Sequence, residues 1–234
     1  MVVKDGVDPA TGRRIVLNSE GKQVFYQHYA PAGQFNWSFA NGTKYVGPNG
    51  ETSVSQAADG VMYGNSQPKQ FGGWTNTLRY KNFDFSALVT YQAGYYIYYG
   101  SGAGLLDQRF WNNTTDILNS WKKAGDITDV PKSVYGDNVS NGSALTMSAN
   151  VHKGDFIKLR NLSLGYSLPE SLLSKVKINT ARLYVSGQNL AIWTKYIGPD
   201  PEVSSNGNSV QGQGVDRNTI GNARTLTVGL NVGF

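Results

Sequence analysis

The sequence predicts an all-β fold, in which about five antiparallel strands form part of a large transmembrane β-barrel with long extracellular loops. Three observations predict it. Apolar and polar residues alternate over about ten residues in several segments, short and long connections follow one another in turn, and aromatic residues gather near both ends of these segments. A tilted strand of about ten residues is long enough to cross the hydrocarbon layer. Barrels of this kind have short turns on one side of the membrane and long loops on the other.

The first two predicted strands form a hairpin. Residues 73–80 alternate in polarity, and Lys81-Asn82 then supply a tight two-residue turn. The strand after the turn has an apolar face made of Phe83, Phe85, Ala87, Val89 and Tyr91. Residues 94–153, which follow this strand, are irregular and could include one or two helical turns at 116–123.

The third predicted strand, residues 156–168, changes phase along its length. Leu162 and Leu164 share one face, whereas Ile157 and Leu159 fall on the other. A bulge near residues 160–161, or a strand end that rises out of the membrane, would explain the change. Residues 169–177 then predict a short helix with Pro169 at its first position.

Residues 181–190 and 225–234 predict the last two strands, and the final one alternates most regularly. Its apolar residues are Leu226, Val228, Leu230, Val232 and Phe234. Five strands cannot close a barrel, because even small barrels need about eight. Since the N-terminus also lacks the features of a signal peptide, we expect a fragment, with residues 1–70 as an extracellular loop region and residues 71–234 as barrel strands and loops.

The composition excludes several other classes of protein. No stretch of 18 apolar residues is present, so the sequence contains no transmembrane helix. The net charge of +5 is scattered rather than clustered, which argues against binding to nucleic acid. The absence of cysteine excludes disulfides and cysteine-based metal sites. A mean hydropathy of −0.37 is compatible with a barrel, whose inner residues are polar, but a soluble β-sandwich also fits the pattern.

Several segments resemble the SusC/RagA group of TonB-dependent nutrient transporters. They are residues 154–169, residues 181–190, Trp193-Thr194-Lys195-Tyr196, Gly198-Pro199-Asp200-Pro201-Glu202, residues 224–234, and the hairpin that contains Phe71-Gly72-Gly73-Trp74 and Tyr80-Lys81-Asn82-Phe83-Asp84. Taken in order, they cover most of residues 64–234. Residues 5–12 resemble a preceding surface loop of the family more weakly.

This resemblance implies a bacterial outer-membrane barrel of about 22 strands with an N-terminal plug. It also implies uptake of glycans or peptides, powered through the TonB complex and often assisted by a SusD-like surface lipoprotein. The plug and the segment that contacts TonB have no counterpart in this sequence. A secreted soluble β-domain that binds carbohydrate through surface aromatics, and a passive outer-membrane porin, are the alternative functions. We expect no enzymatic activity and no cofactor.

An aromatic cluster supplies the candidate substrate contacts. Its members are Tyr95, Tyr96, Tyr98 and Tyr99, with Trp111 as a further candidate in the same loop. Aromatic faces can stack on sugar rings, and phenol hydroxyls can form hydrogen bonds with them. The alternative is that these residues belong to an interfacial aromatic girdle. Neither His28 nor His152 has metal-ligand spacing around it, so we predict no metal or catalytic site.

The end of the last strand is the second candidate site. Barrels that resemble this one end in an aromatic residue, which here is Phe234, on the same face as Val232 and Leu230. We predict that these three residues form a signal for the barrel assembly machinery, since an extended apolar edge can be captured by strand addition. The same apolar face is expected to contact outer-membrane lipid.

Overall fold

The computed structural model of the chain describes residues 1–25, 54, 56–106, 112–133, 146–174, 178–205 and 213–234. The chain divides into two compact units. The first contains Met1–Gly64 and Tyr98–Val151, and the second contains Asn65–Ile97 and His152–Phe234. Residues 1–64 therefore share their unit with a later part of the chain.

The first unit contains a small antiparallel sheet of three strands. They are β1 (Val3–Val7), β2 (Arg14–Leu17) and β3 (Gln23–Phe25), in the order β1-β2-β3. Their β-branched side chains favour extended backbone. One face of the sheet buries a core made of Val2, Val16, Val24, Val54 and Met147.

Short helical segments accompany this sheet. They are α1 (Gln56–Asp59), α2 (Gly100–Leu105) and two 3-10 turns at Thr115–Asn119 and Ser148–Asn150. The first 3-10 turn falls in the region for which the sequence allowed one or two helical turns. Within the described part of the chain, no helix is long and apolar enough to span a membrane.

The second unit contains a five-stranded antiparallel sheet, which confirms the predicted strands. They are β4 (Gln70–Tyr80), β5 (Phe83–Ala93), β8 (Phe156–Ser167), β9 (Thr180–Thr194) and β11 (Thr225–Gly233), in the order β11-β9-β8-β5-β4. Three short strands, β6 (Tyr96–Tyr99), β7 (Val151–Lys153) and β10 (Val215–Asp216), form a separate sheet in the order β10-β6-β7. Strand β9 continues four residues beyond the predicted end because it remains paired with β8 up to Thr194.

Short and long connections lie at opposite ends of the five-stranded sheet. At one end, which we call the turn end, Tyr80 pairs directly with Phe83, and Lys81 adopts a φ of 51° in the turn between them. The other connection at the turn end, residues 168–179, contains the predicted short helix as α3 (Glu170–Leu173), with Pro169 as its N-cap. Residues 175–177 of the predicted helix lie outside the described residues. The long connections leave from the opposite end, which we call the loop end.

A β-bulge at Arg160 explains the change of phase in the third strand. Strand β5 pairs Leu88 with Asn161 and its next residue, Val89, with Leu159, so that Arg160 is an extra residue on β8. A shift of one residue moves side chains to the other face of a sheet. Because of this extra residue, Leu159 lies on the same face as Leu162 and Leu164. Of the two explanations offered by the sequence, the bulge is therefore the one that the structure shows.

Strand β9 has its own irregularity at the same height. Gln188 pairs with Asn161 and Ala191 pairs with Leu159, so two residues of β9 lie opposite the bulged residue of β8. One of the two, Asn189, has a φ of 53°. Its side-chain amide donates a hydrogen bond to the carbonyl of Ala223, at 3.0 Å. This hydrogen bond links the irregularity on β9 to the chain just before β11 begins at Thr225.

The register places the apolar side chains in continuous rows on one surface of the sheet, which we call the apolar face. One row consists of Tyr80, Phe83, Tyr166, Leu183 and Leu230, and the next of Leu78, Phe85, Leu164, Val185 and Val228. Many of these side chains are exposed, and Val228 is 70% exposed. A surface of this size without apolar cover would be unusual on a soluble protein. It agrees with the predicted lipid-facing surface.

The apolar face gives a direct test of which surface contacts the membrane. In the full-length protein, Val228→Lys should place a charge near mid-membrane and destabilise the barrel by about 2–4 kcal/mol. Thr227→Lys is the matched control, because Thr227 pairs with Ser186 on the opposite surface. We expect Val228→Lys to reduce the amount of folded, heat-modifiable protein in outer-membrane fractions. Equal loss in both variants would contradict the assignment of the two faces.

Candidate functional site

A buried cluster of charges holds part of the long connection after β9 over the loop end of the sheet. Lys158, on β8, is only 2% exposed. Its Nζ donates hydrogen bonds to Asp200 Oδ2 at 3.1 Å and to Glu202 Oε2 at 2.7 Å. Arg160, the bulged residue, forms a second ion pair with Glu202. Since a lysine ammonium requires partners when buried, the two carboxylates fix this part of the loop to the strand.

Asp200 also joins two distant parts of the same loop. Its carboxylate accepts a hydrogen bond from Glu202 N–H at 3.0 Å, and from the backbone and side-chain amides of Asn222 at 3.2 and 3.0 Å. Burial tends to raise the pKa of Asp200, but the hydrogen bonds from Glu202, Lys158 and Asn222 outweigh it and leave this pKa below its usual value. Asp200 is therefore ionised in the folded loop.

Two tyrosines complete the packing of this loop. Tyr196 donates a hydrogen bond to the fully buried carboxylate of Asp216, at 2.7 Å. Tyr95 is 4% exposed and donates a hydrogen bond to the carbonyl of Pro201, at 3.1 Å. Burial, together with the nearby charges of Glu202, Asp155 and Asp200, raises the pKa of Tyr95, so its hydroxyl remains a neutral donor. Tyr95 thus has little surface left for a ligand.

The other aromatic candidates are divided within the fold. Tyr96, Tyr98 and Tyr99 lie on β6 and are each partly buried. The boundary between the two units falls within β6, after Ile97. Trp111 lies outside the described residues. The predicted role of these residues in substrate contact stays a prediction.

The polar face of the five-stranded sheet, opposite the apolar face, carries an ion pair near the turn end. Arg182 Nε donates a hydrogen bond to Asp84 Oδ1 at 2.8 Å, across the intervening strand β8. This approach requires Gly165 on β8, because a Cβ there would lie 2.3 Å from the Arg182 guanidinium. The guanidinium carbon also lies 5.2 Å from the centre of the Tyr184 ring. The sequence analysis missed this pair, although both charges fall on polar positions near predicted short connections.

The terminal residues lie as the alternation predicts. Val232 and Leu230 are on the apolar face, and Phe234 follows the end of β11 and is largely exposed. Among the described residues, no strand pairs with the other edge of β11. Recognition of these residues by the assembly machinery stays a prediction.

The histidines contribute no site in the described residues. The ring of His152 lies edge-on to that of Tyr196, with 6.3 Å between the ring centres. His28 lies outside the described part of the chain. No group of three or more histidine, aspartate or glutamate residues that could hold a metal ion occurs in the residues that the structure describes.

Comparison of sequences finds similar outer-membrane receptors, although no family model matches the chain. TonB-dependent receptor P3 of Formosa agariphila is 39% identical over 196 residues, which are 80% of this chain and 18% of the relative. TonB-dependent receptor P26 of the same organism is 30% identical over 200 residues, or 82% of this chain and 20% of the relative. TonB-dependent receptor SusC of Bacteroides thetaiotaomicron is 28% identical over 199 residues, or 81% and 17%.

Comparison of structures finds the same architecture. The RagAB peptide importer in its open-open state aligns with the whole of this chain and with 22% of its own, at a TM-score of 0.69 and 23% identity. A further structure of the RagAB peptide transporter gives a TM-score of 0.65 at the same identity and coverage. The chain spans about a fifth of the length of each of these relatives.

The charge cluster predicts how the loop responds to loss of its cation. Lys158→Met would leave two carboxylates without their buried partner, and we expect it to destabilise the folded loop by about 3–5 kcal/mol. Faster cleavage of residues 195–224 by proteinase K, on cells that express the full-length protein, would report this change. Arg217→Met is the control, because it removes an exposed cation from the same loop. Equal protease sensitivity of the two variants would contradict the role of Lys158.

The lowered pKa of Asp200 predicts that acid loosens the same loop. A carboxylate whose pKa is lower in the folded state stabilises that state above its unfolded pKa of about 4, and this contribution disappears as the pH falls through the lowered value. We therefore expect pepsin to cleave residues 195–224 increasingly fast as the pH falls below about 4. Asp200→Asn should be cleaved faster than the parent protein and depend less on pH. A parent and variant with the same pH profile would refute this linkage.

Proposed function

We propose, for a chain that is a SusC/RagA-like segment of an outer-membrane β-barrel, a role in energised uptake of glycans or peptides. The observation that carries the proposal is the five-stranded sheet itself. It has one surface of continuous apolar rows and one polar surface with a charged pair, Asp84 and Arg182. A transport barrel needs this division between lipid and lumen. The role assigned is transport and not catalysis.

The substrate class rests on the relatives. RagAB is described as a peptide importer, and the resemblance of the sequence to the SusC/RagA group implies glycans as the other class. Within the chain, Tyr96, Tyr98 and Tyr99 are the aromatic candidates on β6 that retain some exposed surface. Phenol rings can contact either sugars or peptide side chains. Both substrate classes therefore fit the chain, and growth on one nutrient or the other distinguishes them.

The two alternative functions considered from the sequence differ from this proposal in ways that can be observed. A soluble carbohydrate-binding domain would have to cover the apolar face with other protein, since its exposed rows would otherwise cause association. A passive porin would share the sheet and its two faces. Dependence on the TonB complex distinguishes the porin from the proposed transporter, because diffusion through a porin needs no energy input.

Uptake in cells tests the proposal. Cells that lack the full-length gene should lose growth on one of two sole nutrients, peptides or a polysaccharide, and the nutrient on which growth is lost identifies the substrate class. The gene should restore this growth only when TonB is functional. Tyr98→Ala combined with Tyr99→Ala should reduce uptake by about three- to tenfold, the size expected for lost aromatic contacts. Tyr80→Ala, at the turn end, is the control. Growth without TonB would favour the porin, and normal uptake by the double variant would remove these tyrosines from the substrate path.

The partner and the orientation are proposed together. A SusD-like surface lipoprotein would bind from outside the cell, so the long connections should be extracellular, as should the sheet of the first unit. Cysteine replacements at Gly104 and Ile220, which are both exposed, should react with an impermeant maleimide on intact cells. Ser171→Cys, in the short connection, should react only after the outer membrane is opened. The reverse labelling pattern would contradict the proposed orientation. Failure of the tagged full-length protein to co-purify with a lipoprotein would contradict the proposed partner.

A further inference from the structure

A groove of about 580 Å³ lies on the apolar face at the loop end of the five-stranded sheet. Its floor is formed by Tyr91, Ile157 and Trp193. These three residues pair across β5, β8 and β9 and so form a single row. All are exposed, and Trp193 is 59% exposed. The floor is therefore the row of the apolar face nearest to the loop end.

Two lysines border this floor just beyond the strands. Lys153 comes before the start of β8, and Lys195 follows the end of β9. Both side chains are exposed and line the groove. Neither forms an ion pair with a residue that the structure describes. Two cations thus lie at the ends of the strands, between the row that contains Trp193 and the connections beyond the strands.

The one acid that lines the groove offsets only part of the charge of these lysines. Asp155 also lines it, but its carboxylate accepts a hydrogen bond from Gly94 N–H at 2.7 Å. Its backbone carbonyl accepts another from the Thr194 hydroxyl at 2.8 Å. Asp155 therefore holds two connections together, and the groove keeps a net charge of +1 from Lys153, Lys195 and Asp155.

We propose that this groove binds the phosphorylated headgroup of a lipid in the outer leaflet. The phosphate would lie between Lys153 and Lys195, and an acyl chain would descend over Trp193 and Ile157 onto the rest of the apolar face. Aromatic side chains prefer this level of the membrane, and basic residues near a membrane surface attract anionic headgroups. The combination favours a lipid over a soluble anion, because the floor below the lysines is continuous with the lipid-facing rows. This inference goes beyond the proposed function and does not depend on what is transported.

Competition between two lipids tests the proposal. Full-length protein purified in a non-ionic detergent is mixed with equal amounts of monophosphoryl lipid A and phosphatidylcholine, and the bound lipids are counted by native mass spectrometry. We expect lipid A to be preferred. Lys153→Gln combined with Lys195→Gln should lower its binding by about fivefold for each lysine removed. Lys153→Arg combined with Lys195→Arg should keep the preference, because both cations remain.

Matched controls make each outcome decisive. Lys122→Gln combined with Lys123→Gln removes the same charge from exposed positions that do not line the groove, and should leave lipid A binding unchanged. Equal loss in both glutamine pairs would overturn the proposal in favour of non-specific attraction. Unchanged binding in the Lys153 and Lys195 pair would also overturn it, as would displacement of lipid A by an excess of inorganic phosphate alone. Heat-modifiable mobility of every variant confirms that the barrel is folded.

Discussion

Backbone amides and carbonyls inside a bilayer must form hydrogen bonds within the protein, because hydrocarbon offers them no partner. The five-stranded sheet meets this constraint by antiparallel pairing along nearly the whole length of each strand. The pairing fixes the register, and the register decides which side chains meet lipid. The bulges, the charge cluster and the groove each lie at a fixed position along these paired strands.

The bulges of β8 and β9 affect both the pairing of the strands and the attachment of the long connection after β9. Arg160 is an extra residue on β8, and Asn189 belongs to the irregularity opposite it on β9. The extra residue restores the apolar face near the loop end and, at the same time, supplies a guanidinium that contacts Glu202. One local irregularity thus serves both the surface that faces lipid and the anchoring of the loop. Bulges commonly redirect side chains at the rims of barrels in this way.

The sequence was sufficient to predict the strands because their periodicity is local. The hairpin about Lys81, the helix after Pro169 and the bulge near Arg160 could all be read from neighbouring residues. The cluster of Lys158 with Asp200 and Glu202 could not, since it joins residues more than 40 positions apart whose spacing carries no period. The same is true of Asp84 with Arg182. Tyr95 was grouped with other tyrosines by composition, whereas its burial depends on Pro201, which local patterns do not reveal.

Two glycines of the polar face, Gly165 and Gly229, determine how closely large side chains lie against the sheet. A Cβ at Gly229 would lie 2.4 Å from the Tyr184 ring, so this ring lies flat across β11 instead of projecting from the sheet. Gly165 lets the Arg182 guanidinium lie equally flat beside Asp84. Both large side chains therefore lie against the backbone of the neighbouring strand. An alanine at either position would therefore push the Tyr184 ring or the Arg182 guanidinium out from the polar face of the sheet.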